Sequence, residues 1–267
     1  MQSKLERLRS ILRELDSVIV AYSGGLDSAF VLAVAHQVLG PRALGVTAWS
    51  PSVPERERRD AERIARDLGA AHRVIHSQEI HDPRYASNPS NRCFYCKSEL
   101  YTLTEQVRVE LGFAHVINGT NTDDLGDYRP GLEAAKNAGV RSPLVDAGLS
   151  KQETRDLARE LGLGFWDKPA AACLSSRIPY GTQVTPERLK QIEQLEDALH
   201  DLGLRQLRVR YHQDLARIEV AKQELEAAFA LREAIVKAGK AAGFTYVSLD
   251  LAGYRTGSLN AALRIVQ

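Results

Sequence analysis

The chain has 267 residues, 44% of them hydrophobic and 26% charged, with 35 Lys and Arg against 34 Asp and Glu for a formal net charge of +1. This composition suits one large globular domain or two smaller ones, and gives no electrostatic case for wrapping nucleic acid or lying on a membrane. No apolar run approaches the ~18–20 residues of a membrane span, and the charged start does not read as a signal peptide, so a cytoplasmic protein is expected. Three cysteines, an odd number, argue against a disulfide framework.

Leu5, Leu8, Ile11, Leu12 and Leu15 recur at helical spacing, so the chain opens with an amphipathic helix. The β-branched run that begins at Val18 predicts a buried parallel strand. It breaks into Ser23-Gly-Gly-Leu-Asp-Ser28, where Asp27 or Ser28 can cap the next helix. Residues 43–49 read as a second strand, 54–69 as a helix with acidic residues in its first turn, and 72–76 as a short third strand. A helix over 97–111 and a strand over 114–119 follow. Residues 127–132 lead into another helix, and 141–144 form a loop or short strand. Ser150-Lys-Gln-Glu153 is a capping box for a helix to residue 161. Residues 168–181 form a proline-bounded loop. The alternation predicts an α/β fold, a doubly wound parallel sheet over residues 1–182. From Thr185 the pattern becomes helix, two strands in a hairpin (204–212 and 216–220), a helix over 223–242 and a strand over 245–250. That pattern predicts a smaller α+β domain at 183–267.

Adjacent glycines let backbone N–H groups approach an anion, and a helix N-terminus behind them adds partial positive charge. Ala21, Ser23, Gly24, Gly25, Asp27 and Ser28 therefore form a candidate phosphate cradle, though not a Walker A loop. Ligands of open α/β sheets sit at the carboxyl ends of strands, which singles out Thr47 and Ala48, and the stretch Asn118-Gly119-Thr120-Asn121-Thr122-Asp123-Asp124. Asp124 and Asp127 are carboxylates of the kind that hold Mg²⁺ beside phosphate oxygens. Arg208 and Arg210 lie two apart on a predicted strand and share a face, as do Arg217 and Glu219. A guanidinium pair suits a substrate phosphate; a salt-bridged strand face is the alternative. Cys93 and Cys96 form a C-x-x-C, and Cys173 lies in the later loop. A redox dithiol, a structural zinc with His76 or His81 added, a 4Fe–4S cluster with one open iron, and unrelated thiols are all open readings.

Ser-Gly-Gly-x-Asp-Ser between strand and helix resembles the PP-loop of N-type ATP pyrophosphatases, which split ATP between its α and β phosphates and leave an adenylylated intermediate. The stretch ending at Asp124 resembles the element that closes over the nucleotide there. Four further motifs follow in order: Asp127-Tyr-Arg-Pro-Gly-Leu132, Ser175-Ser-Arg-Ile-Pro-Tyr-Gly181, Val209-Arg-Tyr-His212 with Ala216-Arg-Ile-Glu219, and Leu249-Asp-Leu-Ala-Gly-Tyr-Arg-Thr-Gly257. Together they resemble the LarE family of ATP-dependent sulfur transferases over nearly the whole chain.

The resemblance implies adenylylation of a carboxylate of pyridinium-3,5-biscarboxylic acid mononucleotide. Sulfur then replaces AMP, for the nickel-pincer nucleotide cofactor. It implies ATP and Mg²⁺ as cofactors, with adenine and ribose near Thr47 and Ala48. Glu219 would lie near substrate or metal, and Lys97 and Arg177 would guide the anionic substrate. In the three-cysteine form of the family, Cys93, Cys96 and Cys173 carry a 4Fe–4S cluster; in the other, the loop cysteine, here Cys173, gives up its own sulfur. A homo-oligomer is implied, with no nucleic-acid or membrane partner, and the sulfur donor is unspecified. The rivals are a tRNA thiolase of the same superfamily, an amide-forming synthetase and a non-enzymatic ATP-binding module.

Overall fold

Helix α1 (Gln2–Glu14) buries Leu5, Leu8 and Leu12, the stripe that its spacing predicts. It leads into β1 (Val18–Ala21), whose first three residues are fully buried. The computed structural model describes residues 1–126, 130–169 and 171–255. It divides into two compact units, Met1–Tyr85 with Asn91–Ala171 and Ala86–Ser90 with Ala172–Gln267.

In the first unit β1 continues through α2 (Leu26–Leu39), β2 (Ala43–Trp49), α3 (Glu55–Asp67) and β3 (Ala71–His76). After the four-residue α4 (Pro83–Ala86) come α5 (Arg92–Leu111), β4 (His115–Ile117), α6 (Pro130–Asn137), α7 (Pro143–Asp146) and α8 (Lys151–Glu160). The four strands are parallel in the order β3-β2-β1-β4, with Val18 of β1 opposite both Ala43 and His115. The expected α/β fold with a parallel sheet is therefore present. From β1 the chain goes first to one side of the sheet, through β2 and β3, and later to the other, at β4. The loops that leave β1 and β4 thus flank the switch point, where such sheets bind ligands. Helix α2 is apolar almost all round, because it is packed between the sheet, α1 and α8.

In the second unit α9 (Pro186–Asp201) precedes an antiparallel hairpin of β5 (Leu207–His212) and β6 (Leu215–Val220). Helices α10 (Leu225–Ala230) and α11 (Arg232–Ala241) lead to β7 (Tyr246–Leu249), which joins β6 in parallel. Leu207, Val209, Ala216, Ile218 and Val220 are buried, and α9 packs on β5. Their alternate neighbours Arg208, Arg210, Arg217 and Glu219 occupy the opposite face.

Two expectations shift. Helix α5 starts at Arg92, five residues before the expected Lys97, so Cys93 and Cys96 belong to its first turns. Cys, Phe and Tyr are mediocre helix formers, but burial of Arg92 and packing against α6 override that weak preference. The helix expected over 223–242 is two helices, divided at Leu231, where no Gly or Pro announces the break. The second compact unit takes Ala86–Ser90 as well as the chain from Ala172 onward. Fully buried Asn88 explains that segment: its side-chain amide donates to the carbonyls of Ile178, Pro179 and Thr182. Among the described residues no helix is long and apolar enough to cross a membrane.

Candidate active site

The loop after β1 is held from within. Ser23 Oγ and Ser28 Oγ lie 3.1 Å apart, Ser28 Oγ accepts from Ser23 N at 3.2 Å, and the Ser28 hydroxyl donates to the Gly25 carbonyl at 3.1 Å. Gly25 is the N-cap and no side chain caps α2, so the expected cap at Asp27 or Ser28 is not formed; both lie inside the first turn. The bend itself is set sterically. Gly24 has φ of +73°, and a Cβ there would lie 2.8 Å from Ala61 Cβ of α3, so the glycine pair sets the bend tightly against that helix. The buried Tyr22 hydroxyl donates to the Ala61 carbonyl at 2.9 Å and fastens the same two elements.

The loop after β4 closes on this turn. A Cβ on Gly119 would lie 2.6 Å from the Ser28 backbone nitrogen, so only glycine lets the two loops meet. Asn118 Oδ1 accepts from Thr120 N and from the Ser142 hydroxyl; Asn121 Oδ1 accepts from Asp123 N, and Asp124 Oδ2 from Asn121 N. These side-chain turns order the backbone without a strand or helix.

Asp27 is aimed into this junction. Its Oδ1 is buried without a hydrogen-bond partner, as is Nδ2 of the fully buried Asn121. Burial raises the Asp27 pKa; Lys151 opposes that, Asp124 reinforces it, and Asn121 and Arg155 oppose it further. Two carboxylates beside the N-terminus of α2 have the donor chemistry of a Mg²⁺–phosphate site, and the buried Asp27 oxygen fits one. Asp127, the third expected carboxylate, lies outside the described residues.

Lys151 and Arg155 were not singled out by the sequence reading. The capping box places them: Ser150 Oγ accepts from Glu153 N, Glu153 returns the bond to Ser150 N, and Lys151 N donates to Asp123 Oδ2. Lys151 thus occupies the first position of α8, a cation carried by the box, which was legible as a helix start and not as a site.

Thr47 has its hydroxyl committed within the sheet. It donates to the Tyr22 carbonyl and meets His72 Nε2, both at 2.8 Å, while burial lowers the His72 pKa. Ala48 and Ala21 are partly exposed near the ends of their strands.

The second unit carries the arginines. Arg177 is buried and makes a two-pronged pair with Glu196 at 2.9 Å, while its Nη1 donates to the Ala172 and Cys173 carbonyls. Burial pulls its pKa down, but Glu196 more than compensates and the group is held above its ordinary value. Glu196 is held below its own ordinary value: burial raises it, and Arg177 overcomes that. Glu196 also accepts from Val209 N, tying the pair to β5. Arg210 donates to Ser176 O and to Glu219 Oε2, and Arg217 donates to Glu219 Oε1 and Asp250. Glu219, proposed from the sequence near substrate or metal, is the buried centre of this ion-pair chain. Arg208 lies over the Tyr254 ring. Its pKa is lowered by burial and by the like charge of Arg177, partly opposed by Glu196 and Tyr254, with Arg210 adding to the lowering. An anion at Arg208 opposes that lowering.

Cys93 is exposed on the first turn of α5, Cys96 is half-buried one turn on, and Lys97 lies between α5 and Gly131 of α6. Cys173 belongs to the second unit, at the start of the short turn Leu174–Arg177. Among the described residues no group of three or more His, Cys, Asp or Glu side chains is arranged to hold a metal ion.

The NAD synthase family model matches residues 3–93, the part that holds the glycine turn. A pyridinium-3,5-bisthiocarboxylic acid mononucleotide synthase of Lactiplantibacillus plantarum is 36% identical over 268 residues, covering 100% of this chain and 97% of that protein. The chain belongs to the LarE family. It is an ATP-dependent sulfur transferase built on a PP-loop domain. An uncharacterized protein of Synechocystis sp. is 46% identical over 98% of this chain and 99% of its own length. A tRNA-specific 2-thiouridylase of Neorickettsia sennetsu is 26% identical, over only 57% of this chain. The tRNA-thiolase reading therefore has no counterpart for much of the sequence.

Proposed function

We propose that this LarE-family protein uses ATP to adenylylate a carboxylate of pyridinium-3,5-biscarboxylic acid mononucleotide, then replaces AMP with sulfur to give the thiocarboxylate. The observation that carries the reading is likeness to the Lactiplantibacillus plantarum synthase from end to end, second unit included. The substrate carboxylate is a poor acyl donor until AMP becomes its leaving group. The glycine turn and the N-terminus of α2 behind it receive the departing pyrophosphate, and Lys151 and Arg155 supply positive charge that acts on Asp27. Asp27 and Asp124 would hold Mg²⁺, which when bound neutralises charge developing on the phosphate oxygens. Arg208 and Arg210 take the substrate phosphate, and Arg177 fixes the Cys173 loop through its backbone.

For the sulfur, Cys93, Cys96 and Cys173 make up the whole cysteine content and offer three thiolates, the donor set of a 4Fe–4S cluster with one open iron. The arrangement of the described side chains does not itself assemble that set. Direct loss of sulfur from Cys173 is the second reading, favoured by the way Arg177 pins that one loop. The protein is expected to work in the cytoplasm as a homo-oligomer.

The test is release of AMP and pyrophosphate from ATP, dependent on the pyridinium mononucleotide, with thiocarboxylate identified by mass. ATP bound but never cleaved in the presence of that substrate would leave only a binding module. Lys151→Ala is expected to lower the rate about 10²-fold, in line with removal of a positioned charge from a transition state.

A further inference from the structure

The stretch that leads to Cys173 is clamped to the helix behind the phosphate turn. Lys168 Nζ lies 3.0 Å from Glu57 Oε2 and 2.9 Å from Asp60 Oδ2, both in the first two turns of α3. The Lys168 side chain is only 10% exposed, so these contacts are screened much less than a surface pair. Burial pushes the Asp60 carboxyl up, but hydrogen bonds from Lys168 and Arg63 outweigh it and hold the group below its ordinary value. Glu57, Asp60 and Ala61 stand three and four apart and share one side of α3. Ala61 is the residue against which Gly24 is fitted and whose carbonyl accepts from the Tyr22 hydroxyl. Clamp and phosphate turn therefore bear on the same turn of one helix. Arg155 of α8 holds the stretch as well, donating to the Trp166 carbonyl at 3.0 Å and to the Lys168 carbonyl at 3.5 Å, and its charge acts on Asp27. Lys168 stands five residues before Cys173. Five extended residues reach about 17 Å at most, so a fixed Lys168 limits where Cys173 can go. Without the clamp the nearest buried side chain upstream is Phe165, and the reach grows to about 27 Å.

We propose that Lys168 is a positioning residue for sulfur transfer: held by Glu57 and Asp60, it ties the approach of the Cys173 loop to the helix that backs the phosphate turn. The inference rests on the function proposed above, in which both sulfur sources use Cys173. It adds that the clamp keeps formation of the adenylate and its consumption by sulfur in step. An adenylate whose sulfur source is out of place is lost to water. Water adds to the acyl carbon, the bond to the AMP oxygen breaks, and the carboxylate returns with release of a proton. ATP is then consumed without a thiocarboxylate being made.

The experiment follows pyrophosphate, AMP and thiocarboxylate through the first turnover, with ATP and the pyridinium mononucleotide in excess. It compares wild type with Lys168→Met, Lys168→Arg and the double variant Glu57→Ala with Asp60→Ala. Wild type is expected to give about one thiocarboxylate per AMP. Lys168→Met is expected to release pyrophosphate within about twofold of the wild-type rate, while thiocarboxylate per AMP falls about tenfold, the scale of a misplaced reacting group. The double variant opens the clamp from the helix side and is expected to lose the same ratio. Lys168→Arg keeps the charge and is expected to hold the ratio within about twofold of wild type. A Lys168→Met protein with the wild-type ratio would overturn the proposal. So would one in which pyrophosphate release falls as far as thiocarboxylate, because that is a general loss of structure. If Lys168→Met fails to fold, the double variant decides, and a wild-type ratio there sinks the clamp. Wild type that releases no pyrophosphate with this substrate, or never forms thiocarboxylate, removes the underlying function and the clamp with it. Wild type that transfers sulfur beside indifferent variants removes only the role of Lys168.

Discussion

Asp27, a candidate site residue, weakens the fold that holds it. Its buried oxygen lacks a partner and its pKa is raised by burial. A carboxyl group with a raised folded-state pKa contributes stability that is fully present below the unfolded value and is lost as pH rises through the folded one. Asp27→Asn is therefore expected to increase the melting temperature of the metal-free protein at neutral pH and to flatten its pH dependence, while ATP cleavage falls about 10²-fold or more. Calorimetry across pH with a pyrophosphate assay reads both; a variant no more stable at pH 7 contradicts the burial argument. The Arg177–Glu196 pair behaves oppositely. Glu196 is held below its ordinary value, so its contribution is present above the unfolded pKa and disappears as pH falls through the folded one. Arg177→Met strands a buried carboxylate and is expected to cost about 3–5 kcal/mol, measurable by urea unfolding near pH 7 and much reduced in acid. The sequence marked Arg177 as a guide for substrate. Its burial and its bonds to the Ala172 and Cys173 carbonyls could not be read from spacing, because they depend on a glutamate nineteen residues away.

At the scale of elements, the site is two loops and a helix start fitted together around the switch point of the sheet. Gly119 is the contact between them, and its tolerance is small: Gly119→Ala places a carbon against the Ser28 backbone. That substitution is expected to cost about 1–3 kcal/mol and to raise KM for ATP at least tenfold, both visible in thermal melts and ATP titration. Ser150→Ala removes one half of the α8 capping box, with an expected loss of about 1 kcal/mol and a smaller effect on ATP use, since Lys151 keeps its place in the chain. The capping box was legible because it is a local hydrogen-bond pattern with fixed spacing. Its bearing on Asp27 was not, because the charge of Lys151 acts on Asp27 only after β4 and its loop have closed the sheet. The early start of α5 had the same cause, with packing outweighing the propensities of Cys93, Phe94 and Tyr95.

For the molecule as a whole, the cysteines divide between the units: Cys93 and Cys96 in the first, Cys173 in the second. On protein prepared without oxygen, the cluster reading expects about four irons and four labile sulfides per chain, both lost in Cys93→Ala. Iron-free protein that still forms thiocarboxylate once per chain, and converts Cys173 to dehydroalanine, would move the sulfur source to Cys173 alone. Stoichiometric zinc would make the cysteines structural.

The sequence by itself determined the features encoded over short distances. These are the strand–Gly-Gly–helix turn, the alternation that makes a parallel sheet, the hairpin with charges on one face, and the cysteine inventory. Each depends on backbone periodicity or local hydrogen bonding, which neighbouring residues specify. Tertiary structure alone decided which groups act on one another: Lys151 on Asp27 through its charge, Arg177 with Glu196, Arg210 and Arg217 with Glu219, and Arg208 with Tyr254. Coulomb and stacking energies depend on separation in space and on burial, and neither is set by distance along the chain.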